Sequence, residues 1–140
     1  MAFAIMNRKW DWLRQAELDL KAAGDLLSSR NYAWACFTSQ QCAEKAFKAI
    51  LFHLGKPVLT HNVVDMLKAL APHLPVPAAV VKAGNTLNRY YIPTRYPGAF
   101  SSGAPGDQYF EPEAKEAKDL ARVVYDFAQS TLGPAGPSTP

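Results

Sequence analysis

An all-α helical bundle is the fold class predicted by the 140-residue sequence, on three observations. The stretch from Tyr32 to Gly55, YAWACFTSQQCAEKAFKAILFHLG, is Ala-rich and carries no internal Pro or Gly, as a long helix requires. Upstream, Leu13, Ala16, Leu20, Ala23 and Leu27 recur at alternating steps of three and four, a helical seam. No strand pattern or internal repeat competes with these helices. A chain of this length can bury its own core as one domain, expected over residues 1–132. With 49% hydrophobic and 19% charged residues it is not a disordered chain.

Residues 8–29 are expected to form the first helix, with Arg14, Glu17, Asp19, Lys21 and Asp25 mostly off its apolar seam. Trp10 and Trp12 near its start suit core anchors. The turn Ser28-Ser29-Arg30-Asn31 is short, so the first two long helices should form an antiparallel hairpin. On the second helix, Cys36, Ala43, Phe47, Ile50 and Leu54 share one face at roughly 100° steps. Thr38, Gln41, Lys45 and Lys48 form an opposing polar stripe, with Trp34, Phe37 and Phe52 beside it. Such a helix is central and buried on more than one side. Its Lys side chains either snorkel to water from a core helix or line a self-association face or site wall.

Gly55 suits a position just past the helix end. Thr60 or Asn62 can cap a third helix that runs to about Leu70, with Val63, Met66, Leu67 and Leu70 inward. His61 beside that start reads as a local hydrogen-bonding residue, since the sequence locates no catalytic partner for it. Pro72, Pro75 and Pro77 break the chain, and Pro77 fits the first turn of a fourth helix through Ala79, Val80, Leu87 and Tyr90/Tyr91. Gly84 and Asn85 weaken that helix, and Pro93 ends it. Residues 93–112 form a long loop in which Tyr96, Phe100, Tyr109 and Phe110 argue for packing. A last helix starts near Glu111-Pro112-Glu113, with Ala114, Ala117, Leu120, Ala121, Val124, Phe127 and Ala128 as its inner side. The tail 133–140, GPAGPSTP, has a disordered composition.

Charge is mild at +3 but unevenly placed. Between Asp65 and Asp107 there is no acidic residue, while Lys68, Lys82, Arg89 and Arg95 fall there. This is either a phosphate-attracting surface or a solvated face offset by the acidic last helix. Cys36 and Cys42, six positions apart on one helix, are too far apart to bridge and read as buried thiols. Two Cys and three scattered His provide no metal-ligand spacing, so no metal and no cofactor is expected. No apolar run is long enough to span a bilayer and the opening lacks signal-peptide order, so a cytoplasmic protein without membrane contact is expected. Phosphate-loop, dinucleotide-fingerprint, zinc-protease and nucleophile-elbow motifs are absent, and Ser39 sits mid-helix without an evident base. What remains is the loop. Arg89-Tyr90-Tyr91 and Arg95-Tyr96-Pro97 place guanidinium and phenol groups in one stretch that can hold phosphate and stack a base. Arg95 can equally tie the loop to a helix end or to Glu44.

Four stretches together resemble the HEPN domain family. They are Trp12 with Ala16 to Ala23, Tyr32 to Phe37 leading into Ser39 to Ala49, Thr60-His61, and Tyr91 to Pro97 followed by Pro105 and Tyr109. The resemblance covers about residues 10–130 and implies an up-and-down four- or five-helix bundle that commonly dimerises. It also implies one of two functions. Many such domains pair with a minimal nucleotidyltransferase in two-component, often toxin–antitoxin, modules. Others are metal-independent ribonucleases with an Arg-x(4–6)-His motif, which this chain lacks, because no His follows Arg95. The expected function is therefore a non-catalytic partner module. Its candidate contacts to nucleotide or RNA phosphate are Arg95, Tyr96, Lys45, Lys48, Arg89 and Tyr109. The alternatives are a ribonuclease with a divergent site on Arg95, Tyr96 and His61, or a dimeric adaptor without ligand. A homodimer is expected, with Trp34, Phe37 and Phe52 at or near the contact, because a monomer would expose that aromatic patch.

Overall fold

A computed structural model describes residues 7–134, and among them five α-helices and no strand occur. They are α1 (Lys9–Ser28), α2 (Tyr32–His53), α3 (Val63–Leu70), α4 (Ala78–Asn88) and α5 (Glu111–Leu132), with short 3-10 turns at Pro97–Ala99 and Pro105–Asp107. The expected tail lies, from residue 135 on, outside the described residues.

The α1–α2 hairpin is antiparallel. Lys9 at the start of α1 donates to His53 at the end of α2 (Nζ to Nδ1, 3.1 Å), and Lys45 meets Asp19 midway at 2.6 Å. Burial, and after it the Lys9 ammonium, hold His53 below its usual range. The chain leaves α1 and α2 by the same bond pattern. Asn31 N–H bonds Leu26 O (2.8 Å) and Lys56 N–H bonds Leu51 O (2.8 Å), each with a left-handed residue in between. Gly55 supplies that conformation at φ 71°, as the sequence suggested, whereas the α1 end uses Arg30 at φ 66°.

α2 packs against all four other helices, which is why it is apolar on most sides. Thirteen of its residues are buried, among them Cys36, Cys42, Phe47, Ile50 and Leu51. Burial pushes both thiols up to about 12, with nearby Glu113 adding to the rise at Cys36 and Asp19 at Cys42. Of the two candidate caps for α3, Asn62 is the one used: its Oδ1 accepts from Val64 N (2.9 Å) and Asp65 N (3.2 Å). α4 ends at Asn88, so Tyr90 and Tyr91 lie in the turn beyond it and not on the helix. Asn88 Oδ1 then accepts from Val63 N (2.8 Å), fastening the end of α4 to the start of α3.

Gly84, which weakens α4 as a helix, is required by the packing. A Cβ there would sit 3.0 Å from Leu67 Cδ1, 3.1 Å from Val63 Cγ1 and 3.2 Å from Phe47 Cε2, all side chains of the core. Helix propensity yields to the close approach of α2, α3 and α4. Gly84→Val should therefore cost about 1–3 kcal/mol and lower the melting temperature by several degrees, measured by thermal unfolding. Unchanged melting would mean that α4 is not wedged against these neighbours.

Candidate functional site

The site is assembled on one line of α2. Phe37, Gln41, Glu44 and Lys48 recur at steps of four, three and four, so they share a face. Phe37 forms a floor for Arg95, whose guanidinium carbon lies 4.3 Å from its ring centre. The same carbon is 4.8 Å from Tyr91 and 5.0 Å from Tyr96, so three rings surround one cation. Nε and Nη2 of Arg95 donate to the Tyr91 carbonyl at 2.9 and 2.7 Å. Arg95 thus braces the turn just past α4, as one of the sequence alternatives held, and its other alternative, Glu44, is not its partner. Both hydrogens of Nη1 have no hydrogen-bond acceptor among the described residues.

Glu44 is 2% exposed, one of four buried polar or charged residues among those described. A buried carboxylate is costly without partners, and this one has four. Oε2 accepts from Lys48 Nζ (3.1 Å) and pairs with His61 Nδ1 (2.8 Å). Oε1 accepts from Gln40 Nε2 (3.3 Å) and Gln41 Nε2 (3.4 Å). Held in this way, the carboxylate serves as acceptor, so Nδ1 of His61 carries a hydrogen and Nε2 is the nitrogen left for a ligand. The His61 side chain is 64% exposed, and its ring stacks on Tyr91 at 5.5 Å and 12°. His61 and Arg95 therefore meet on a single tyrosine ring.

A cleft of about 430 Å3 opens beside His61 and Tyr91, lined further by Thr60, Asn62, Asn88, Ile92 and Pro93, with Arg95 outside its lining. Thr60 Oγ1 accepts from Asn62 N (3.0 Å), which shapes its rim. Trp34 packs edge-on against Phe37 at 5.9 Å and is 51% exposed, extending the aromatic surface outward from Arg95.

The predicted residues divide. Arg95 and Tyr96 stand together with Phe37 and Trp34, and Lys48 joins them through Glu44, His61 and Tyr91. Lys45 is turned to Asp19 on α1, and Arg89 is exposed. Tyr109 is buried at 8% against Tyr90 and Phe100, with burial raising its hydroxyl above the usual range. Phe52 stacks on Trp12 at 5.9 Å. Sequence reasoning missed the Glu44–His61 pair because the residues are seventeen positions apart, with no local signal to join them. Among the described residues there is no group of three His, Cys, Asp or Glu that could hold a metal ion. Nor is any helix among them long and apolar enough to cross a membrane.

Glu44→Ala would take the acceptor from Gln40, Gln41, Lys48 and His61 and leave the buried Gln40 amide and the partly buried Lys48 ammonium short of a partner. The expected loss is about 2–4 kcal/mol of stability, larger than for Glu44→Gln, as measured by denaturant unfolding. Equal stability of the two variants would show that the carboxylate charge and its acceptor oxygens are not what the network requires.

The HEPN domain sequence profile matches residues 10–131. The protein TT1696 from Thermus thermophilus superposes with a TM-score of 0.87 at 42% identity, over 91% of this chain and 100% of that one. ST0689, an archaeal HEPN homologue, gives 0.78 at 34% over 91% and 100%, and a HEPN domain protein from Thermotoga maritima gives 0.71 at 30% over 87% and 97%. The Methanocaldococcus jannaschii protein "Putative toxin MJ1304" is 25% identical over 135 residues, spanning 87% of this chain and 89% of the relative. With the profile covering nearly all of the five-helix bundle and two solved HEPN proteins sharing its fold, this chain belongs to the HEPN domain family.

Proposed function

We propose that this chain is a toxin-type HEPN module that holds nucleotide or RNA phosphate at Arg95 and works as the non-catalytic subunit beside a nucleotidyltransferase. The single observation that carries the phosphate role is the Arg95 guanidinium. It is fixed by two bonds to Tyr91 O and three surrounding rings, while Nη1 keeps its donors for an oxyanion. Exposed Tyr96 and Trp34 beside it offer faces on which a base can stack. Similarity to "Putative toxin MJ1304" supports the toxin class. The partner follows from the family resemblance.

A second reading is favoured by the Glu44–His61 pair. A histidine oriented by a buried carboxylate, with its other nitrogen outward and a guanidinium nearby, is the equipment of metal-independent RNA cleavage by general acid–base catalysis. RNA cleavage in the presence of a chelator, lost in His61→Ala, would replace the non-catalytic role with this one.

Binding of a labelled short RNA should weaken steeply as salt rises from about 50 to 200 mM, because phosphate contacts release counterions. Arg95→Ala should weaken that binding by about 1–3 kcal/mol and, because it also removes the brace on the Tyr91 carbonyl, cost about 1–3 kcal/mol of stability. Arg95→Lys should recover only part of it, keeping the charge without the planar fork. A variant that melts early and binds normally would reduce Arg95 to its brace on Tyr91.

Half-exposed Trp34 on its Phe37 base also supports a homodimer contact. Light scattering should give about twice the 15.4 kDa chain mass, and Trp34→Ser should shift it toward the single chain. A monomer at tens of micromolar would remove Trp34 and Phe37 from a dimer interface.

A further inference from the structure

We infer that binding of a phosphodiester at this site is coupled to the uptake of one proton by His61, so that the site is occupied more tightly as the pH falls. The inference rests on the phosphate-binding role proposed for Arg95, and it names how that same site is regulated. Three features of the geometry lead to it. Nδ1 of His61 is engaged with Glu44 Oε2 at 2.8 Å, so the ring cannot turn that nitrogen outward without leaving a buried carboxylate oxygen short of a donor. Nε2 is therefore the atom presented outward from a side chain that is 64% exposed. In the neutral ring Nε2 is a lone-pair acceptor, which repels a phosphate oxygen; after protonation it is a charged donor, which binds one.

The second feature is position. The ring centre of His61 is 5.5 Å from that of Tyr91, and the guanidinium carbon of Arg95 is 4.8 Å from the same centre. The two groups cannot be farther apart than those two distances together. A nucleotide bridging them would place phosphate on one and a base or a second phosphate within reach of the other.

Third, the charged surroundings are few and fixed. Toward His61, α2 presents Glu44, whose Oε2 is shared with Lys48, and the turn after α4 presents Tyr91, whose ring also contacts Arg95. The cleft's other lining residues, Thr60, Asn62, Asn88, Ile92 and Pro93, are uncharged. The charged groups around His61 are thus Glu44, Lys48 and Arg95. With the carboxylate already shared with Lys48, an arriving phosphodiester adds the negative charge that tips the balance toward the imidazolium. No covalent step is involved; the proton comes from solvent and returns on release.

The test uses the full chain and a 2′-O-methyl oligouridylate of about ten nucleotides with hydroxyl ends. Its diesters do not titrate near neutrality, and its methylated riboses cannot be cleaved. Affinity should be about tenfold higher at about pH 6 than at about pH 8 at constant salt. Calorimetry in two buffers of different ionisation enthalpy should report an uptake approaching one proton per site. His61→Gln should bring the affinity ratio between the two pH values close to one. Should that variant fold poorly, the His61 ring resonances of the unaltered chain give the same answer: their titration midpoint should move up on saturation with the oligonucleotide. Binding that is equally tight at both pH values, with no proton uptake, would overturn the coupling and leave the Arg95 phosphate role standing. Absence of binding at either pH and at low salt would overturn both.

Discussion

One buried carboxylate organises the functional end of this molecule. Glu44 sits in the central helix at 2% exposure, where an unpaired charge could not be tolerated, and its two oxygens take up Gln40, Gln41, Lys48 and His61. The first three partners come from α2 itself and would be available in any context that kept the helix. His61 comes from the segment before α3 and is the partner that ties the chain beyond α2 to this line. By holding His61, Glu44 sets the plane on which Tyr91 stacks, and Tyr91 in turn supplies both a carbonyl and a ring to Arg95. A carboxylate that is buried and satisfied thus becomes the support of a half-buried cation.

The rest of the architecture brings these pieces within reach. Asn88 fastens the end of α4 to the start of α3, which sets the turn carrying Tyr91 beside the turn carrying His61. Gly84 lets α4 approach α2 and α3 closely enough for that bond to form. Thr94, 2% exposed, bonds the Tyr90 carbonyl at 2.6 Å, so the chain leaving α4 is wound tightly and Arg95 is carried back over Phe37. The long connection that follows is anchored by Pro105 and Tyr109, and the burial of Tyr109 against Tyr90 and Phe100 keeps it folded down on the bundle.

Two groups of residues that looked separate share one surface. Trp34 and Phe37 stood out as unpartnered aromatics of the central helix, and Arg95 with Tyr96 as the chemistry of the loop. Phe37 is the floor of the Arg95 cage and Trp34 packs on its edge, so the aromatic patch and the cation form a single continuous face. Neither element's own periodicity shows this face, because it forms only where α2 meets the turn after α4.

The helices were legible along the chain because their signals are local. Spacing at three and four placed Leu13, Ala16, Leu20 and Ala23 inward on α1, and a long Pro- and Gly-free run marked α2 as the buried centre. Gly55 and Asn62 carry their capping roles in their own conformational preferences. The all-α bundle follows from such terms, and so does the singling out of Arg95 in a loop of Pro, Gly and aromatics. What each polar group meets was settled only when the helices packed. Lys45 and Lys48 lie three residues apart on one helix, yet Lys45 goes to Asp19 across the hairpin and Lys48 to Glu44. Tyr96 stays at the surface while Tyr109, from the same loop, is buried. Glu44 and His61 find each other only after α3 has folded back along α2. Pairing of this kind is set by burial and by the demand that every buried donor and acceptor be satisfied, and neither has a period along the chain.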